Sequence, residues 1–149
     1  MIAVDTNVVV RLLTRDDETQ YQKSLVLFEE YDVFIPDTIL LEIEWVLRYA
    51  YDFEADAICE VLSRLFGLPN VHLSNPVLLA QAIKWNSQGM DFADALHLSQ
   101  CQQCNQFFTF DNKFIHQAKG VCPCPVLKPP SPNPFPEGEG VNPVEDPKI

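Results

Sequence analysis

The chain has 149 residues, of which 47% are hydrophobic and 21% charged, with a formal net charge of −11. These values are ordinary for one globular domain with a sizeable core, and the acidity counts against a large, general nucleic-acid footprint. No apolar run reaches the roughly 18 residues of a spanning helix, and Asp5 stands where a secretory leader needs positive charge. No membrane association and a cytoplasmic location are therefore expected.

In chain order, Met1 to Val4 reads as a short buried strand that runs into a helix around Val8 to Val10. Residues 18–31 carry Tyr21, Leu25, Phe28 and Tyr31 at helical spacing. Val33 to Ile35 is a strand stopped by Pro36, and Asp37 or Thr38 can cap the strong helix over 38–51. The next helix runs from about 54 to 67 and ends at Gly67 and Pro69. Val71 to Leu73 is a strand. Asn75-Pro76 starts a helix that reaches about Ser87 and stops at Gly89. Asp91 opens a helix to about Cys104, Gln106 to Phe110 is a strand by composition, Asn112 to Lys119 is a helix, and Val126-Leu127 is a final edge strand. Strands alternating with helices predict an α/β fold, a sandwich with a mainly parallel central sheet.

From Lys128 the composition changes. Nine of the twelve prolines lie between Pro123 and Pro147. Residues 1–127 are therefore read as the folded domain and 128–149 as a proline-rich C-terminal tail, extended or disordered. The five cysteines are an odd number in a chain without a leader, which argues against a disulfide framework. Cys101-x-x-Cys104 with Cys122-x-Cys124 has some zinc-site character. The expected helix through 101–104 and the one-residue gap beside prolines weigh against it, and reduced cysteines are expected.

Four short acidic motifs carry the chemistry: Val4-Asp5-Thr6-Asn7, Leu41-Glu42-Ile43-Glu44, Asp91-Phe92-Ala93-Asp94-Ala95 and Thr109-Phe110-Asp111-Asn112. A lone charge set against apolar sequence is costly unless it is paired or bound to a cation. Hard oxygen ligands of this kind suit Mg²⁺ or Mn²⁺. Asp5 and Asp111 each end a short strand, where α/β sheets gather ligands, and each is equally a helix N-cap. On the helix over 38–51, Ile39, Ile43, Val46, Leu47 and Ala50 form an apolar stripe. Glu42 lies at its edge, whereas Glu44 reads as a surface residue paired with Arg48. Asp91 is explained by capping and is the reserve candidate. Asp94, followed by Ala95 and Leu96, sits nearer the core. Thr109 shares a strand face with Asp111 and can hydrogen-bond a carboxylate or water.

Taken in order, Met1-Ile-Ala-Val-Asp5-Thr6-Asn7-Val, Arg11-Leu-Leu-Thr-Arg, Leu41-Glu42 with Trp45-Val46-Leu47, Asp91-Phe-Ala-Asp94-Ala-Leu and Thr109-Phe-Asp111 resemble a PIN-domain protein of the VapC toxin type over residues 1 to about 120. The resemblance implies a three-layer α/β/α sandwich and a Mg²⁺-dependent endoribonuclease acting on single-stranded RNA. It implies the toxin of a type II toxin–antitoxin pair, with a cognate antitoxin protein as partner and a homodimer as the assembly. Carried over by position, Asp5, Glu42, Asp94 and Asp111 would form the acidic site, with Asp5 and Asp94 the principal metal ligands and Thr6, Asn7 and Thr109 in support. His97 to Cys101 and Cys104-Asn105 depart from the usual pattern, and the tail is outside it, but no departure removes a carboxylate. The rival readings are a non-catalytic PIN-like module that binds RNA or protein, and an α/β phosphatase using Asp5 as nucleophile. The second is weakened by Asn7, which stands where such enzymes need another aspartate.

Overall fold

The computed structural model of the protein describes residues 1–132. Its elements are β1 (Ile2–Ala3), α1 (Thr6–Thr14), α2 (Glu18–Glu30), β2 (Val33–Ile35), α3 (Asp37–Tyr49), α4 (Ala55–Phe66), β3 (Val71–Leu73), α5 (Pro76–Ser87), α6 (Phe92–Gln100), β4 (Phe107–Phe108), α7 (Asn112–Ala118) and β5 (Val126–Leu127). β1, β2 and β3 form one parallel sheet in that order, and β4 pairs with β5 in a separate parallel ladder. With its helices this is the expected α/β/α sandwich. The expectation of an extended or disordered tail falls mostly on residues 133–149, which lie outside the described residues; 128–132 carry no regular structure.

Local signals set most boundaries. Asp5, Asp17, Asn75, Asp91 and Asp111 cap α1, α2, α5, α6 and α7, each accepting a backbone N–H of the first turn. α3 differs from expectation: Pro36 occupies its N-cap and Asp37 is already helical, with no side-chain capping bond. The central strand β2 buries Val33 and Ile35 completely on one face and half-buries Phe34 on the other, whereas the edge strand β1 leaves Ala3 exposed.

α6 stops at Gln100 rather than near Cys104. The Ser99 hydroxyl donates to the Leu96 carbonyl at 2.8 Å, and the Gln102 side-chain amide donates to the Ser99 carbonyl at 3.0 Å. Side chains thus compete for carbonyls at the point where a continuing helix would use them. Residues 101–104 form a turn closed by Cys104 N–H to the Cys101 carbonyl at 2.9 Å.

The core is built against β2 by Leu40, Ile43 and Leu47 of α3, Ile58 and Leu62 of α4, Leu79 and Trp85 of α5, and Phe92 and Leu98 of α6. Each such side chain contributes about 1.5–3 kcal/mol of burial free energy. α1 packs on α2 and α3, α5 on α4 and α6, and α3 touches α6. That last contact brings the second and third acidic motifs into the same region.

Candidate active site

Three of the candidate carboxylates enter the structure as helix caps, so the capping alternative is realised for each. Asp5 Oδ1 accepts from the Thr6 amide at 2.8 Å. Asp111 Oδ1 accepts from Lys113 and Phe114 at 2.8 and 3.2 Å, and Asp91 Oδ1 from Ala93 and Asp94 at 2.9 and 3.3 Å. A cap occupies one carboxylate oxygen. The second oxygen of Asp91 is also engaged, 3.3 Å from both Nη1 and Nη2 of Arg48. Among the described residues the second oxygens of Asp5 and Asp111 meet no hydrogen-bond donor. Capping therefore uses up Asp91 while leaving Asp5 and Asp111 an oxygen each.

Glu42 is exposed on α3 and accepts a short 2.5 Å hydrogen bond from the hydroxyl of buried Thr6. It shares a cleft with Asp5, Thr6, Asn7, Arg11, Val46 and Tyr51. It also borders a second cleft with Trp45, Arg48 and Ala93, the residue before Asp94. Glu42 thus stands between the first strand end and the start of α6. In the Asp5 cleft, Arg11 is held by Asp16 at 2.7 Å and by the Tyr51 hydroxyl at 2.8 Å. Asp16 in turn accepts from Tyr51 at 2.6 Å.

Asp94 is half-buried on the first turn of α6. Burial pushes its carboxyl pKa upward, and the negative charges of Asp91 and Asp111 push it further in the same direction; His97 opposes them only weakly. Two groups result: Asp5 with Glu42, and Asp94 within the field of Asp91 and Asp111. Among the described residues no hydrogen bond or ion pair joins the two groups directly, and no three His, Cys, Asp or Glu side chains enclose a metal position.

The donor set nevertheless fits a hard divalent cation. Among the described residues none of Asp5, Glu42, Asp94 or Asp111 is in a salt bridge, and the nearest guanidinium on α3, Arg48, is committed to Glu44 and Asp91. Mg²⁺ keeps several waters and takes only one or two carboxylates together with substrate phosphates, so it needs no closed protein cage.

Two expectations are corrected. Glu44 does pair with Arg48, with Nε 3.1 Å from Oε1, but it is 5% exposed and not a surface residue. The buried stripe of α3 is Leu40, Ile43, Glu44 and Leu47, rotated from the one inferred from Ile39, Val46 and Ala50. Thr109 accepts from the Asp111 amide at 3.1 Å, which leaves its own hydroxyl proton available to donate. His97 and His116 are exposed, and His72 lies 3.2 Å from Asp32, away from the acids. Sequence reasoning missed Arg48 as a bridge. Its i,i+4 link to Glu44 was legible, but its partner Asp91 lies 43 residues away.

Compared with protein families, residues 2–120 match the PIN domain. The chain belongs to the PIN-domain family. PIN domains are a nuclease-type fold whose members typically hydrolyse phosphodiesters and generally use divalent metals. No curated protein matches the chain.

Proposed function

We propose that this PIN-domain protein is a Mg²⁺- or Mn²⁺-dependent endoribonuclease that cleaves single-stranded RNA, acting as the toxin of a type II toxin–antitoxin pair. The observation that carries the reading is the set of carboxylates Asp5, Glu42, Asp94 and Asp111, which have no basic partner among the described residues of a nuclease-type fold.

Asp5 and Asp94 would be the principal metal ligands, with Glu42 and Asp111 completing the acidic site. A divalent ion held there supplies polarisation of the scissile phosphate and a water acidified toward neutral pH. The chain's own residues do the rest. Thr6 holds one Glu42 oxygen and leaves the other free to orient water or receive a proton. Arg11, in the same cleft, is paired with Asp16 and Tyr51 through Nη1 and would reach an RNA phosphate through Nη2. Asn7 lines that cleft as a neutral donor.

The deciding experiment is cleavage of single-stranded RNA with and without Mg²⁺, beside Asp5→Asn and Asp94→Asn. Undiminished metal-dependent cleavage by both variants would overturn the assignment. The alternative is a non-catalytic PIN-like module that binds RNA or protein. It is favoured by the exposed Trp45 and Tyr49, whose rings lie 5.5 Å apart on α3, and predicts metal binding without cleavage of any RNA. For the cognate antitoxin and a homodimer contact these two rings are the proposed surface. Phe28, though large, is buried and cannot line such a groove. A small antitoxin gene immediately upstream would establish the biological role.

A further inference from the structure

Four of the five cysteines flank the turn after α6 and the N-terminal end of the β4–β5 ladder. Cys101 and Cys104 bracket the turn after α6. In the β4–β5 ladder Phe107 lies opposite Val126, and the Phe107 amide donates to the Pro125 carbonyl at 2.9 Å. This register sets Cys104, three residues before Phe107, and Cys124, two before Val126, at the same N-terminal end of the pair. The Cys124 amide donates to the Cys122 sulfur at 3.4 Å, which draws the Cys122-x-Cys124 hook together. Cys124 is buried, Cys101 and Cys122 are half-buried, and Cys104 is exposed. The thiols lie within one another's fields: burial raises the Cys124 pKa, and Cys122, Cys104 and Cys101 raise it further. Cys101 is raised by burial and then by Cys104 and Cys122.

We propose that Cys101, Cys104, Cys122 and Cys124 form a structural zinc site that clamps the turn after α6 to the β4–β5 ladder. The sequence-based objection, that 101–104 would be helical, does not hold, because α6 ends at Gln100. A turn carrying Cys-x-x-Cys opposite a second cysteine pair is the usual source of four soft ligands for tetrahedral Zn²⁺. The amide-to-sulfur bond at Cys122 orients that ligand.

The fold also has a use for such a clamp. β4 and β5 are two residues long and make no ladder with the main sheet, and a lone two-stranded pair is marginal in water. α6 carries Asp94 near its start and Cys101 at its end, and β4 leads to Asp111. Over nine residues α6 separates the two sites by roughly 13 Å. The clamp would therefore steady both acids without touching them.

The four sulfurs do not enclose an ion as they stand. Binding would release the thiol protons to solvent and turn the side chains inward, with no change of oxidation state.

The test uses the full chain, expressed with added zinc and purified under reducing conditions. One tightly held zinc per chain is expected, with thiolate–cobalt charge-transfer absorption on Co²⁺ substitution. Zinc should persist in Asp5→Asn/Asp94→Asn and in Cys59→Ser, and fall by more than about tenfold in Cys101→Ser/Cys104→Ser and in Cys122→Ser/Cys124→Ser. In the wild-type chain a chelator should make the four thiols newly reactive to alkylation, a readout that needs no variant to fold. A wild-type chain without zinc, cysteine variants with full zinc, or disulfides among these four would overturn the proposal. Zinc content is independent of RNA cleavage, so a failed nuclease assay leaves this result standing, and the reverse.

Discussion

At the scale of single residues, Asp94 is the carboxylate whose ionisation the fold opposes most clearly among the four proposed site residues. Its folded-state pKa is raised above the ordinary 3.8 by burial and by Asp91 and Asp111. A raised carboxyl contributes stability that is present at low pH and lost as pH rises through the raised value. Without metal, wild type should lose this stability on passing from acid to neutral pH, and Asp94→Asn should not. Added Mg²⁺ should raise the melting temperature of wild type at neutral pH and leave Asp94→Asn nearly unmoved. Thermal scans over pH with and without Mg²⁺ check both.

Asp91 is a structural residue by contrast, because its oxygens are committed to the α6 cap and to Arg48. Asp91→Ala should cost about 1–2 kcal/mol of stability, measured by urea unfolding. Asp91→Asn keeps the cap and should retain most of the RNA cleavage that Asp94→Asn loses. Arg48→Met leaves Glu44 buried with no guanidinium. Since Arg48 is one-third exposed, the cost should be about 2 kcal/mol, below the range for fully buried pairs. Glu44→Gln in the same background should recover part of it in the same unfolding assay.

At the scale of elements, helix starts and stops were largely legible because caps and breakers act within a few residues. Asn75-Pro76, Pro36 and Gly89 mark their boundaries where the sequence placed them. Gly89 adopts φ of 108° as the chain turns from α5 toward Asp91. Gly89→Ala should therefore lower stability by about 1–2 kcal/mol, read from the unfolding midpoint, by straining a conformation that L-residues avoid. The phase of α3 was less legible. Its sequence is apolar enough that two stripes fit, and choosing Ile39, Val46 and Ala50 instead of Leu40 turned Glu44 outward. Packing against α1, α4 and α6 selects the other stripe, and Glu44 then becomes tolerable in the interior because Arg48 lies one turn away.

At the scale of the whole molecule, a charge of −11 limits how the proposed RNA substrate could be held. Arg11 is the cation lining the Asp5–Glu42 cleft, so few phosphates can be neutralised. RNA affinity should depend weakly on salt, with a log–log slope shallower than about −2. Titrations at several ionic strengths check it, and a steep slope would point to a basic surface elsewhere.

The carboxylates, the strand ends that carry two of them, the alternation of strand and helix, and the hard-cation chemistry were all present in the sequence, because capping, periodicity and ligand hardness are local properties. Tertiary structure alone decided that Arg48 reaches Asp91, that Glu44 is buried, that Thr6 holds Glu42, and that two cysteine pairs share one end of the β4–β5 ladder. Each of these depends on helix rotation or strand register between distant segments. Neither is encoded in the spacing of any one of them.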